Sequence, residues 1–133
     1  MIVDSSALVA VLLREPDYEV LLDALAGAFG RGDFIGVGTP TLAETGLVLT
    51  SRLGVLGRTL LARLVDEAGM TEISFDAEHW KVAVEAFTRY GRRRHPAGLN
   101  FGDCLTYAIA RVVDEPLLYI GDDFAKTDIR AVL

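Results

Sequence analysis

The sequence predicts an α/β fold in one domain, a parallel sheet covered by helices, and two observations carry that expectation. Short apolar runs of strand character, "MIV", "FIGVG", "MTEISF" and "LLYIG", alternate with longer segments of helical periodicity, the pattern of parallel strands joined by helical crossovers. The composition suits a packed interior: of 133 residues 51% are hydrophobic and only four are proline, enough to withdraw roughly two thirds of the unfolded surface from water. No repeat, low-complexity tract or linker interrupts residues 1–133, so a single domain is expected.

Taken in order, Ile2 and Val3 form the first strand, and Asp4 closes it and opens the apolar helix from Ala7 to Leu13. Tyr18, Leu21, Leu22, Leu25 and Phe29 recur at helical spacing and mark a second helix. The "FIGVG" strand leads into a helix pair, "TPTLAETGLVLTSRLG" and "VLGRTLLARLVDEAG", divided near Gly54. In the first of the pair "TLAE" reads as a capping box, with Thr41 at the cap and Glu44 reaching back. That helix is unusually apolar for a surface element, which core packing explains more readily than an interface, though an interface would use the same face. After "MTEISF", Trp80, Ala83, Val84 and Phe87 mark a further helix, and "RRRHPAGLN" is the one stretch of pronounced loop character. Leu105, Ala108, Ile109 and Val112 stripe the last helix, which Asn100 caps with Asp103 three residues on, and "LLYIG" then hands over directly to Asp122 and Asp123.

The net charge of −6 excludes overall attraction to nucleic acid or anionic membranes, so any polyanion binding must be local. Arg89, Arg92, Arg93, Arg94 and His95 form the one basic cluster, which also reads as a solvated helix end complementing the helix dipole. Cys104 is the only cysteine, so no intrachain disulfide forms, and a small buried apolar role suits it better than that of a nucleophile. His79 lies in an amphipathic helix and His95 in the basic loop, neither suggesting a metal ligand, though His95 is placed to touch a phosphate. The amino-terminal apolar stretch lacks a preceding basic region and is too short to span a bilayer, so a cytoplasmic protein with no membrane partner is expected.

Asp4, Glu44, Asp103 and the Asp122/Asp123 pair all fall at helix starts or strand ends. Each one alone is an ordinary cap or turn residue. Jointly they say more, because the carboxyl ends of parallel strands share one edge, and helices leaving strands directly start there too. Asp4, Asp103 and the late pair can converge on that edge, and Glu44 joins them if its helix begins there. Crowded carboxylates repel and raise one another's pKa values unless a cation lies between them. An oxygen-only donor set selects hard ions, Mg²⁺ or Mn²⁺, and leaves room for water and a phosphate, as phosphoryl transfer requires.

Four segments in order, "IVDSSALVA", "TPTLAETG", "GLNFGDCLTYAIA" and "PLLYIGDDFAKTDI", resemble those of the PIN-domain nucleases, and within them the VapC type of toxin ribonuclease, across essentially the whole chain. The resemblance implies a three-layer fold with a central parallel sheet of four to five strands flanked by helices. It implies an endoribonuclease dependent on Mg²⁺ or Mn²⁺, the toxin of a type II toxin–antitoxin pair, in which metal-activated water attacks an RNA phosphodiester in line. Asp4, Glu44, Asp103 and a fourth acid would be its catalytic carboxylates, Asp4 and Asp103 the direct metal ligands. Asp123, just before Phe124, matches the fourth position, with Asp122 beside it as the alternative; Ser6 matches a supporting hydroxyl. Arg92, Arg93 and Arg94 are placed to hold the RNA backbone. The implied partners are the RNA substrate, a cognate antitoxin covering a helical groove, and a second copy of the chain in a homodimer.

Two other classes compete. A receiver-like phosphoacceptor shares the architecture, but its acidic pair follows the first strand, whereas here the pair comes late and only Lys126 follows it. A non-catalytic binding module of the same fold would leave the full set of acids as an unexplained electrostatic load.

Overall fold

The protein is described here by a computed structural model covering residues 1–133. Four short strands, Ile2–Val3 (β1), Gly36–Gly38 (β2), Thr71–Ile73 (β3) and Leu117–Leu118 (β4), form one parallel sheet in the order β3-β2-β1-β4. Ile2 pairs with Gly36 on one side and Leu117 on the other, and Val3 pairs with Leu118. Each crossover is a helix pair: α1 (Ser5–Leu13) with α2 (Tyr18–Arg31), α3 (Thr39–Leu53) with α4 (Val55–Glu67), and α5 (Ala77–Tyr90) with α6 (Phe101–Val113). A single 3₁₀ turn, Phe124–Lys126, follows β4.

Strands of two or three residues have too few ladder bonds to stand alone; burial on both faces sustains β1, β2 and β4, while β3, at the edge of the sheet, is largely exposed and held by its pairing with β2. The period-two alternation of side chains sorts them into two cores. Val3, Val37 and Leu118 pack with Leu8, Leu21, Leu25, Leu49 and Leu61 from the first four helices, while Ile2 and Leu117 pack with Ala83, Ala86, Tyr107 and Ile109 of α5 and α6. Each such aliphatic side chain removed from water contributes about 1.5–3 kcal/mol. The result is three layers, as expected.

The strand order positions the site. The chain steps outward from β1 to β2 to β3, then returns to place β4 on the other side of β1, so the order reverses between β1 and β4. In open parallel sheets the crevice beyond the carboxyl ends at such a reversal is where ligands bind.

One local expectation fails. The helix containing "TLAE" starts at Thr39 with Gly38 as its cap, so Thr41 is not a cap and Glu44 is no capping-box partner. Pro40, with its fixed φ and missing N–H, suits the first helical turn and moves the start upstream. Thr41 is instead buried, its hydroxyl 3.1 Å from that of Thr106 on α6. Glu44 is thereby released from capping.

Candidate active site

Asp4 follows β1 and is the N-cap of α1, as its place between strand and helix predicts. Its Oδ2 accepts from the Ser6 N–H at 3.0 Å and from the Ser6 hydroxyl at 2.6 Å. The same hydroxyl accepts from the Ile120 N–H at 3.1 Å, so Ser6 ties Asp4 to the chain leaving β4. On α6 the predicted capping box is present: Asn100 accepts from the Asp103 N–H and Asp103 Oδ2 accepts from the Asn100 N–H, each at 2.9 Å. These bonds leave Oδ1 of both Asp4 and Asp103 without a protein hydrogen bond. Asp4 is buried, a placement that needs compensation.

Electrostatics show that the acids converge. Burial pushes the Asp103 carboxyl up to about 6, and repulsion from Asp4, Asp123 and Glu44 adds to it, against the Asn100 hydrogen bond that holds it down. Glu44 keeps contact with solvent, yet partial desolvation and the Asp4 charge raise it, opposed by the Ser5 side chain. Asp123 acts on Asp103 while Asp122 acts on Tyr119. Asp123 begins the 3₁₀ turn without a side-chain capping bond, so its carboxylate is not spent on a turn. Convergence stops short of a closed cage, for no three His, Cys, Asp or Glu side chains are gathered tightly enough to enclose an ion. Repulsion acts over longer distances than coordination, so the two observations are compatible. The donor chemistry fits a hard divalent cation whose shell water completes: carboxylate oxygens only, no imidazole or thiolate.

Cys104 is buried, as the sequence suggests. His79 is buried, with Nδ1 2.8 Å from Asp76 at the start of α5. His95 Nδ1 accepts from the Ala97 N–H at 3.1 Å. Burial pushes the Cys104 thiol up to about 11, the opposite of an activated nucleophile.

Arg92, Arg93 and Arg94 lie exposed in the loop between α5 and α6, and none forms an ion pair. The loop closes on itself: Leu99 N–H donates to Tyr90 C=O at 2.9 Å and Arg92 N–H to Leu99 C=O at 3.0 Å. The arginines therefore emerge at the end of α6 that carries Asn100 and Asp103. Arg89, counted in the same cluster, is engaged elsewhere, 3.5 Å from Asp128, which also accepts from the Tyr107 hydroxyl at 2.7 Å.

The apolar helix α3 divides its residues. Thr45 and Leu49 face the core, whereas Leu47 is 74% exposed and lines a cleft of about 360 Å³ with Glu44 and Phe101, itself 80% exposed. The stripe that marks α5 is not its core face: Trp80, Val84 and Phe87 are exposed, and α5 buries His79, Ala83, Ala86 and Tyr90 instead, small and aromatic residues that fit against α6.

A family model described as the PIN domain matches residues 1–130. Ribonuclease VapC36 of Mycobacterium tuberculosis is 47% identical over 130 residues, 97% of this chain and 91% of that protein. Ribonuclease VapC of Mycolicibacterium smegmatis is 42% identical over 132 residues, 99% of this chain and 99% of that one. The crystal structure of Mycobacterium tuberculosis VapC20, a sarcin-ricin loop cleaving toxin, has the same fold, with a TM-score of 0.76 over 98% of this chain and 97% of that chain at 16% identity. The full-length family match, the relatives and the strand order with its acids at the β1/β4 reversal agree: the chain belongs to the PIN-domain family, in its VapC group.

Proposed function

We propose that this chain is a divalent-metal-dependent endoribonuclease, the toxin of a toxin–antitoxin pair, acting on RNA phosphodiesters at the β1/β4 edge. Dependence on a divalent metal is general in this family; the oxygen-only donor set favours Mg²⁺ or Mn²⁺ here. The observation that carries the reading is the electrostatic convergence on Asp103 of Asp4, Glu44 and Asp123, acids far apart in sequence.

When bound, the ion supplies an activated water and neutralises charge on the phosphate. Asp4 and Asp103 would hold it through the Oδ1 atoms their capping bonds leave free. Ser6 and the Asn100 N–H fix the other oxygen of each, so the rotamers are set before anything binds. Glu44, its carboxyl raised by desolvation, is suited to take a proton at its carboxylate from the attacking water, and Asp123 closes the fourth side. Arg92, Arg93 and Arg94, exposed and unpaired at the same end of α6, are positioned to grip backbone phosphates, giving affinity without sequence information.

No helix is long and apolar enough to cross a membrane. A toxin that cleaves cellular RNA would act in the cytoplasm. The exposed apolar residues of α3 and α5, with Phe101, supply surface for a homodimer and for an antitoxin chain. The late position of the acidic pair and the family match disfavour the receiver-like alternative.

The test is incubation of purified protein with a mixed pool of cellular RNAs, with Mn²⁺, with Mg²⁺ and with EDTA, followed by mapping of new ends. Discrete cleavage that EDTA abolishes and Asp103→Asn lacks is the expected result. Intact RNA under every condition would leave a non-catalytic module of the same fold.

A further inference from the structure

We propose that Gly102 is a positioning residue for Glu44: its bare Cα makes the space in which the Glu44 carboxylate lies against the first turn of α6, beside Asp103. The proposal rests on the nuclease reading above and adds to it a residue that the acids alone do not reveal.

A Cβ built at Gly102 falls 2.8 Å from Glu44 Oε2, 2.9 Å from Oε1 and 3.1 Å from Cδ, where ordinary contact is 3.4–4 Å. Both oxygens are involved, so rotating the carboxylate about its own axis does not relieve the clash. The backbone gives no reason for glycine, because Gly102 is not among the glycines of positive φ. Within a helix alanine is favoured over glycine by about 0.5–1 kcal/mol. Space for Glu44 is the remaining physical reason. The obstacle is also the far end of a flexible side chain, unlike that at Gly57, where a Cβ would meet the Leu49 backbone at 2.6 Å. A methyl group at 102 therefore displaces the Glu44 carboxylate by roughly half an ångström or more and leaves the fold intact.

The experiment compares wild type, Gly102→Ala, Glu44→Asp and the double variant by metal-free melting, Mn²⁺ titration and RNA cleavage. A crystal structure of metal-free Gly102→Ala completes it. The expected result is that Gly102→Ala melts at or above wild type, shows Glu44 moved off its wild-type position, and loses about ten- to a hundredfold in Mn²⁺ affinity or cleavage. In the Glu44→Asp background the shortened side chain leaves room for the methyl, and adding Gly102→Ala then costs less than about twofold in Mn²⁺ affinity. An unmoved Glu44, wild-type Mn²⁺ affinity and cleavage, a lowered melting point, or an equal loss in both backgrounds overturns the proposal alone. If wild type neither binds Mn²⁺ nor cleaves RNA, the nuclease reading falls and this proposal falls with it.

Discussion

Replacing Asp103 by Asn tests whether crowded charge lowers the stability of the metal-free protein, because both side chains can accept the same capping bond and they differ in charge. Burial and three neighbouring acids hold the Asp103 carboxyl at about 6, against an ordinary 3.8. The native state thus binds this proton more tightly than the unfolded chain does. Between about pH 4 and pH 6 the unfolded chain releases the proton while the native state retains it, so stability falls across that window and stays lowered above it. The gap of about two pH units corresponds to ~3 kcal/mol, and solvent screening of this partly exposed group reduces it to roughly 1–2 kcal/mol. Asn removes the charge but keeps an oxygen to accept from the Asn100 N–H, so the cap on α6 survives.

The metal-free Asp103→Asn variant is therefore expected to melt roughly 3–6 °C above wild type at pH 7.5 and to show no cleavage. At pH 4 and below both proteins carry a neutral side chain here, and the difference closes. Calorimetry in EDTA at the two pH values measures this. A lower melting point at pH 7.5, or an offset that does not change with pH, would refute the reasoning that crowded charge destabilises the metal-free protein. Added Mn²⁺ should reverse the order, since only wild type gains from binding.

Further outcomes follow from the same geometry. Ser6→Ala removes the 2.6 Å bond to buried Asp4 and the acceptor for the Ile120 N–H; we expect a loss of roughly 1–3 kcal/mol in urea unfolding, and an unchanged midpoint contradicts the role given to Ser6. Replacing Arg92, Arg93 and Arg94 together by Ala should weaken RNA binding evenly across sequences and flatten its salt dependence by about 0.7 in slope for each phosphate no longer neutralised, with melting unchanged. A change confined to one cleavage sequence would assign those arginines to base recognition instead. Asp123→Asn should lower cleavage at least about tenfold and Asp122→Asn less than about twofold, since only Asp123 acts on Asp103; equal losses argue against that division.

The architecture was legible because the features that encode it are local. Apolar runs at strand length, helical stripes and the Asn100–Asp103 box sit within a few residues of one another, and the four strands and the α6 cap appear where they indicate. The start of α3 was misread because two local signals competed: the "TLAE" pattern pointed to Thr41, while Pro40 moved the helix upstream and a tertiary bond to Thr106 claimed the threonine hydroxyl. That bond spans α3 and α6, beyond the reach of local reading. The role of Gly102 escaped for the same reason, since a missing Cβ has meaning only once Glu44 is known to lie across it. The sequence favours Asp123 over Asp122 only through its place before Phe124, because the neighbours that distinguish the two acids, Asp103 for one and Tyr119 for the other, lie outside the turn.

For Asp4 and Asp103 the capping and catalytic accounts are not alternatives. A carboxylate has two oxygens, and in both residues Oδ2 accepts a backbone N–H at a helix start, that of Ser6 for Asp4 and of the capping residue Asn100 for Asp103, while Oδ1 is not bonded to the protein. The capping bond fixes the rotamer, and a fixed rotamer aims the free oxygen, so less conformational freedom remains to be lost when an ion binds. The N-terminal ends of α1 and α6 also favour negative charge, which helps a buried Asp4 and a partly buried Asp103 tolerate each other. An acid that merely capped would not need three others turned toward it, and an acid that merely ligated would need some other means of being held still. On the proposed reading, placing Asp4 and Asp103 at helix starts meets both needs with one residue each, which is why either acid looks like an ordinary cap when read alone.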